Sequence, residues 1–213
     1  MIVLLSDKVY EGAVNIPVIM IVYHDNQLSL SGYEALVFSS KNAVYALSKT
    51  SDTWRDIPAY AIGTATAQAI QDLGGTVVYT AKNSYGDDFA QEIKRRLQGK
   101  RVLFPRAKVV TSSLNEILKE AGVLLEEAIL YETRCCACES LEKPPKNAIV
   151  IFSSPSTIKC FFHCFTWDES YQAVVIGTRT ASAMPKEIPF HLSSQQDIPS
   201  CILLAQKLSK KPL

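Results

Sequence analysis

Few of the devices that announce an activity are present in this chain. It has no G-x-G-x-x-G turn, no G-x-x-x-x-G-K-[ST] phosphate loop and no G-x-S-x-G elbow. The local signatures of dinucleotide binding, P-loop nucleotide hydrolysis and α/β-hydrolase chemistry are therefore missing. Its histidines, His24, His163 and His191, are scattered without metal-ligand spacing. Neither charge is in excess: 22 Lys plus Arg stand against 21 Asp plus Glu. That balance argues against a general polyanion binder and so against a nucleic-acid partner, while a small anionic ligand held by local groups is still allowed. No run approaches the ~20 apolar residues that span a bilayer. The opening MIVLLSDKVY has no basic segment, and its apolar run is too short for a secretory leader and meets Asp7 at once. The expectation is a cytoplasmic protein with no membrane partner.

Six cysteines are present: Cys135, Cys136, Cys138, Cys160, Cys164 and Cys201. In a cytoplasmic chain they are expected to be reduced thiols. The cluster CCAC, followed by Cys160, His163 and Cys164, invites a zinc reading, but it lacks two cleanly spaced C-x-x-C pairs. The second group also lies in the apolar run FFHCF, where cysteine behaves as a small buried residue. Structural or incidental cysteines and no metal are expected.

What the chain does have is apolar content, 47% over 213 residues, enough for one large domain or two small ones. IVLL (2–5), ALVF (35–38), AYAIG (59–63), TVVYT (76–80), RVLF (101–104), AIVIF (148–152) and AVVIG (173–177) read as strands. Most lack polar alternation, as strands covered on both faces do. Helical signals lie between them. Phe89, Ile93 and Leu97 recur every four residues, and Gly74–Gly75 stop the helix before. Ser113 and Glu116 form a capping-box pair, and Gly122 marks an end. Strand and helix in alternation predict parallel sheets with helices on both sides.

An internal repeat organises the rest. ALVFSSKNAV (35–44) matches IVIFSSPSTI (149–158), and AYAIGTATA (59–67) matches AVVIGTRTA (173–181). Both matches share one offset of 114 residues (149 minus 35, 173 minus 59). Two copies of one α/β unit follow, too far apart for a solenoid. IPVIMIVYHD (16–25) and EEAILYETRC (126–135) read as extended segments crossing between the lobes. The expected division is a discontinuous α/β domain of residues 1–16 and 136–213, linker strands 17–24 and 128–135, and a second α/β domain of residues 25–127.

Both repeated motifs end an apolar strand in Ser-Ser or Gly-Thr-x-Thr and then begin a helix. In FSSP, Ser154 suits the cap and Pro155 the first helical position. A helix start offers unpaired backbone N–H groups and a positive dipole end, which receive carboxylates or phosphates. For one such turn, capping alone is the better account, and Gly63 and Gly177 serve simply to let the backbone turn. Four turns paired by a repeat make anion binding an even match for it. The candidate binding residues are Ser39, Ser40, Thr64, Thr66, Ser153, Ser154, Thr178 and Thr180. Lys41, Arg106 and Arg179 lie near predicted strand ends, with Arg106 the basic residue taken as a substrate contact. Tyr131 sits on a crossing segment, where a phenol can donate a proton to a leaving hydroxyl; taken alone it is an ordinary packing tyrosine.

These residues resemble the uroporphyrinogen-III synthase family over nearly the whole chain. The resemblance rests on LVFSSKNAV, YAIGTATAQAI, SYGDDFAQEI, RVLFPR, LNEILKEAGVLLEEAILYET, IVIFSSPSTI and VVIGTRTASAM. It implies two similar parallel-sheet, flavodoxin-like α/β domains joined by a two-stranded β-ladder. It implies hydroxymethylbilane as substrate, no metal or organic cofactor, and a cyclisation that loses water and inverts the last pyrrole ring. The family tyrosine of a Tyr-x-Thr motif falls on Tyr131 in LYET, and the threonine of its G-x-x-T-A turn on Thr66, with Thr180 as counterpart. One departure is the short stretch between IVLLS and the first crossing segment, where the family's helix is missing or reduced to a turn. A monomer is expected. The competing readings are a non-catalytic two-lobed binder of a polyanion or tetrapyrrole and a flavodoxin-like signalling module, the latter without the acidic cluster and phosphoacceptor pattern of receivers.

Overall fold

The computed structural model describes every residue except Asp7, Asn26, Ser84, Thr111 and residues 211–213. Asp7, where the first apolar run ends, and Ser84, which opens SYGDDFAQEI, thus lie outside the described residues. The strands are β1 (Ile2–Leu4), β2 (Val14–Asn15), β3 (Ile19–Tyr23), β4 (Ala35–Phe38), β5 (Ala59–Ala61), β6 (Val77–Thr80), β7 (Arg101–Ala107), β8 (Leu124–Cys135), β9 (Ile149–Phe152), β10 (Gln172–Val175) and β11 (Phe190–Leu192). The α-helices are α1 (Lys41–Ser48), α2 (Thr64–Asp72), α3 (Gly86–Leu97), α4 (Leu114–Glu120), α5 (Pro155–Cys164), α6 (Thr178–Ala181) and α7 (Ile198–Ser209). Among the described residues no helix is long and apolar enough to cross a membrane.

The chain forms two compact units, one of residues 1–20 and 133–213, the other of residues 21–132. The first is built on a five-stranded sheet in the order β11-β10-β9-β1-β2. Its neighbours run parallel, with Ile2, Val3 and Leu4 opposite Ile149, Val150 and Ile151. Alternate side chains leave β9 on opposite faces. Val150 and Phe152 join Phe161 of α5, while Ile149 and Ile151 meet Cys201 and Ala205 of α7. Both faces are covered, which is why IVIF is buried at all four positions and carries no polar alternation.

The second unit repeats the plan on a six-stranded sheet, β3-β8-β7-β4-β5-β6. Leu36 and Phe38 of β4 pack with Val44, Leu47 and Ile70 of α1 and α2, and Ala35 and Val37 face Phe89, Ile93, Leu114 and Leu118 of α3 and α4. β4 with β5, β4 with β7, β5 with β6 and β7 with β8 are all parallel. The repeat is visible element by element. β4 and β9 have the same bounds after the 114-residue shift (35 and 149, 38 and 152), and so do the starts of α1 and α5 (41 and 155) and of α2 and α6 (64 and 178).

Several expectations need correction. Ser113 makes no side-chain cap; its N–H donates to Asp87 Oδ1 at 2.7 Å, so a carboxylate from the first turn of α3 takes the place of the capping box. Gly63 and Gly177 have φ of 176° and −173°, extended backbone open to any residue, so freedom to turn is not their reason. At Gly177 a Cβ would lie 3.2 Å from the Gln196 side chain, a tight approach that only a shift of that side chain would relieve. In place of a first helix, β2 pairs with β1, setting Val14 opposite Val3.

The largest correction concerns the cysteines. They are not all thiols: Cys135 is bonded to Cys160 and Cys138 to Cys164, with Cα separations of 5.1 and 5.0 Å. Cys160 and Cys164 are four residues apart on α5 and share a face. Cys135 and Cys138 lie at the end of β8 and in the 3-10 turn after it, against that face. Cys136 and Cys201 carry no disulfide.

The two bonds close nearly the same loop, of 25 and 26 residues. With one bond made, the other closes only the small ring between the paired segments. Chain-entropy arithmetic then assigns about 2–2.5 kcal/mol to removing either bond alone. Removing both costs about 1 kcal/mol more than the sum of the single losses. Urea unfolding of C138A/C164A, C135A/C160A and the fourfold variant, without reductant, measures this. Strict additivity would show that the bonds constrain the unfolded chain independently.

Candidate active site

In a parallel α/β sheet the turns after the strands gather at the carboxyl edge, beside the point where strand order reverses. In the second unit that point lies between β4 and β7, and in the first between β1 and β9. Ser39–Ser40 and Ser153–Ser154 follow β4 and β9, and Gly63-Thr64 and Gly177-Thr178 follow β5 and β10. Each unit therefore carries its own pair of turns at its own sheet edge.

The paired turns are built alike. Ser40 and Ser154 are both extended N-caps, with φ of −164° and −165°. After each capping glycine the first threonine, Thr64 or Thr178, is exposed, and the third helical residue, Thr66 or Thr180, is buried at 5% and 3% exposure. A ligand can thus reach Thr64 and Thr178, whereas Thr66 and Thr180 pack beneath the turn. The pairs also differ. Ser40 Oγ accepts from Asn42 N at 3.1 Å. Ser154 and Thr157 close a reciprocal capping box at 3.2 Å in both directions, so α5 consumes donors at its own start. Neither α2 nor α6 has a side-chain cap. α2 is nine residues long with an exposed Thr64 at its start, and it presents the most open helix N-terminus of the four turns.

Tyr131 is 6% exposed and packs in the cluster that holds Phe38, Leu103 and Leu130. Strict alternation along β8 would send Leu130 and Tyr131 to opposite faces. Both are buried in the same cluster because the register with β7 shifts: Arg106 faces Ile129, but Ala107 faces Tyr131. Such a bulge re-aims a side chain. Here the phenol comes near the side chain of Ser40, close enough for that hydroxyl to bear on its ionisation. Burial pushes the phenol above its ordinary value of 10; the Ser40 side chain opposes this, and the nearby Tyr23 adds to the rise. The hydroxyl therefore keeps its proton at neutral pH, as a proton donor must.

Arg106, expected to meet substrate carboxylates, is engaged by the protein itself. Its Nε donates to Glu127 Oε2 at 2.7 Å, and its Nη1 to the carbonyls of Ala107 and Lys108 at 2.8 and 3.3 Å. Lys108 N in turn donates to the Tyr131 carbonyl at 2.8 Å. Arg106 thus clamps the bulge from the β7 side. Glu127 also accepts from Lys119 Nζ at 2.6 Å and Asn115 Nδ2 at 3.3 Å. Sequence reasoning missed Glu127, Ser40's tie to Tyr131 and the bulge, because each depends on strand register. A shallow groove of about 520 Å³ lined by Asp25, Gln27, Leu28 and residues 126–130 carries three carboxylates, the wrong sign for an anionic ligand. Among the described residues no group of three or more His, Cys, Asp or Glu is arranged to hold a metal ion.

A duplicated α/β protein with parallel sheets, turns at their carboxyl edges and a protonated phenol beside one of them is the class these features define. The model of the family described as uroporphyrinogen-III synthase HemD matches residues 10–198. The solved structure of uroporphyrinogen-III synthetase from Helicobacter pylori 26695 is 30% identical, covers 97% of this chain and 98% of its own, and superposes with a TM-score of 0.84. A mutant uroporphyrinogen III synthase from the extremely thermophilic bacterium Thermus thermophilus is 11% identical over 99% of both chains, with a TM-score of 0.58, and shares the fold. No curated protein matches. The chain belongs to the uroporphyrinogen-III synthase family.

The Glu127 network has a pH signature. Burial alone would raise this carboxyl; hydrogen bonds from Lys119, Asn115 and Arg106 outweigh it and hold the group below its ordinary 4.5. A depressed folded value contributes stability that is complete above the unfolded value and is lost as pH falls through the folded one. Glu127→Gln should cost roughly 1–3 kcal/mol at pH 7. The gap to the parent should close as pH falls below about 4.5. Urea midpoints between pH 7 and 3 test this, and a gap that stays constant would rule the ionised carboxylate out as the cause.

Proposed function

We propose that this protein closes hydroxymethylbilane to uroporphyrinogen III with loss of one water, using Tyr131 as the proton donor. The observation that carries the reading is the nearness of the Tyr131 phenol to the Ser40 side chain, because it joins the candidate acid to one of the candidate carboxylate-binding turns. The substrate carries eight carboxylates, and helix starts with small hydroxyl residues receive carboxylates without burying a cation. Thr64 and Thr178 reach the ligand directly. Ser39, Ser40, Ser153 and Ser154 shape the neighbouring turns, and Thr66 and Thr180 support the helix starts from below. Arg106 acts by positioning Tyr131 through the clamped bulge.

In this mechanism the phenol proton goes to the hydroxyl on the first pyrrole ring, which leaves as water. The azafulvene so formed is attacked by the substituted carbon of the last ring, giving a spiro intermediate that breaks and recloses with that ring inverted. The proton lost as the ring regains aromaticity restores the phenol, so the enzyme ends as it began. No metal or organic cofactor enters any step, and the protein is read as a cytoplasmic monomer. The two units are read as flavodoxin-like domains joined by a ladder of β3 and β8. The order β2-β1-β9-β10-β11 supports this, since it is the flavodoxin order of strands.

Tyr131→Phe keeps the packing ring and loses one hydroxyl. Its kcat should fall about 10²-fold, with KM little changed and isomer III still the product. Thr64→Glu places a carboxylate at an exposed helix start, where it suits the dipole and spares the fold. It should raise KM about tenfold, roughly 1.4 kcal/mol, through repulsion of substrate carboxylates. Stopped assays with hydroxymethylbilane, resolving isomer III from the spontaneous isomer I, read both. If the parent protein yields only isomer I, the synthase reading fails; if the Phe variant runs at full rate, Tyr131 only packs.

A further inference from the structure

The cysteine pairs lie outside everything the ring closure uses. Cys135 and Cys138 sit on one short segment, at the end of β8 and in the turn beyond it, and both are bonded to one face of α5. The bonds differ in access. In the inner bond Cys160 is 3% exposed within the cluster of Val150, Phe152 and Phe161 and only Cys135 is half-buried, whereas in the outer bond Cys138 and Cys164 are both half-buried. Attack on a disulfide needs a thiolate to reach a sulfur, so the outer bond Cys138–Cys164 is open to reductant before the inner bond Cys135–Cys160.

We propose that these four cysteines are a site of reversible dithiol–disulfide modification, taking a dithiol reductant as its reaction partner and opening in a fixed order. The proposal rests on a cytoplasmic placement, where disulfides are transient rather than permanent, and not on the choice of substrate. In each step a thiolate of the reductant attacks one sulfur of the bond and expels the other as a thiolate, which takes a proton. The reductant's second thiol then attacks the mixed disulfide and leaves as a cyclic disulfide. Two electrons pass per bond: the reductant is oxidised and the cysteine pair reduced. The inner bond follows by the same chemistry once the outer tether no longer holds the end of α5.

The reduced state stays folded, because α5 has independent anchors at both ends. Its start is held by the Ser154–Thr157 capping box. Its far end is held by edge-to-face packing of Phe161 on Phe152 and of Trp167 on Phe161, with ring centroids 5.4 and 6.1 Å apart. The bonds therefore stiffen the last turn of α5 and the chain after it.

The test uses the full chain and dithiothreitol. Thiols are trapped by alkylation and mapped by mass spectrometry through a redox titration, with amide hydrogen exchange followed in parallel. Cys138 and Cys164 should be alkylated first and Cys135 and Cys160 second. Exchange at residues 160–165 should rise about tenfold on reduction and return with glutathione disulfide. The C138A/C164A variant should lose the first step and keep the second. The proposal fails if all four cysteines stay alkylatable in the presence of glutathione disulfide, or if the bonds open only when the whole protein unfolds. It fails equally if the reduced chain binds one zinc ion that masks the four thiols. None of these readings involves ring closure, so the outcome is separate from that of the synthase assay.

Discussion

The site depends on one register shift. Between Arg106 and Ala107 the β7 strand falls out of step with β8, and Ile129 and Tyr131 become successive partners. In a regular ladder Leu130 and Tyr131 would face opposite ways, one toward α1 and α2 and the other toward α3 and α4. The bulge turns both into the cluster beneath α1, and only then does the phenol meet Ser40. The shift must be held, because an unsupported bulge leaves backbone groups unpaired. Arg106 supplies that support: it caps the carbonyls of Ala107 and Lys108 and is itself fixed by Glu127. The cation read from the sequence as a substrate contact thus has a structural task here, since loosening it would move Tyr131.

Duplication supplies the rest of the geometry and then departs from symmetry. Equal offsets give Ser40 and Ser154 the same extended cap and give Thr66 and Thr180 the same burial. Beyond that the copies diverge. Pro155 and the Thr157 box close the start of α5 on itself, and α6 is four residues long where α2 has nine. A phenol stands beside the turn after β4. Under the proposed mechanism the two pairs of turns receive carboxylates and Tyr131 gives the proton, as a ring closure that loses one hydroxyl requires.

The parts that were legible in the sequence are those decided within a few residues. Strands buried on both faces show as unbroken apolar runs, so ALVF and IVIF were readable at sight. The cap at Ser154 with Pro155 is likewise local. What escaped depends on partners distant in sequence. Asp87, 26 residues away, accepts from the Ser113 N–H that Glu116 would take in a capping box, and Arg106 is held by Glu127, 21 residues away. Cys135 and Cys160 meet across 25 residues, which a search for metal spacing inside one run does not detect. Tyr131 was placed by its motif, but its tie to Ser40 required the bulge, a property of two strands that neither sequence contains.

Under the proposed mechanism the state of Tyr131 also fixes how the catalytic effort is divided. Burial raises its pKa above 10, so the phenol is reliably protonated yet a weak acid. A weak acid gives a modest push to a leaving hydroxyl. The reaction tolerates this because electron donation from the pyrrole ring already favours departure, as the spontaneous closure to isomer I implies. The harder task is choosing which carbon of the last ring attacks, and general acid catalysis does not decide that. Holding both ends of a flexible tetrapyrrole in one arrangement does, and effective molarities in oriented systems are large enough to outweigh a factor of about 10² from the acid. Backbone donors at helix starts are then the better tool for the holding. They do not titrate, so in the proposed mechanism their hold on the substrate is independent of the proton transfer.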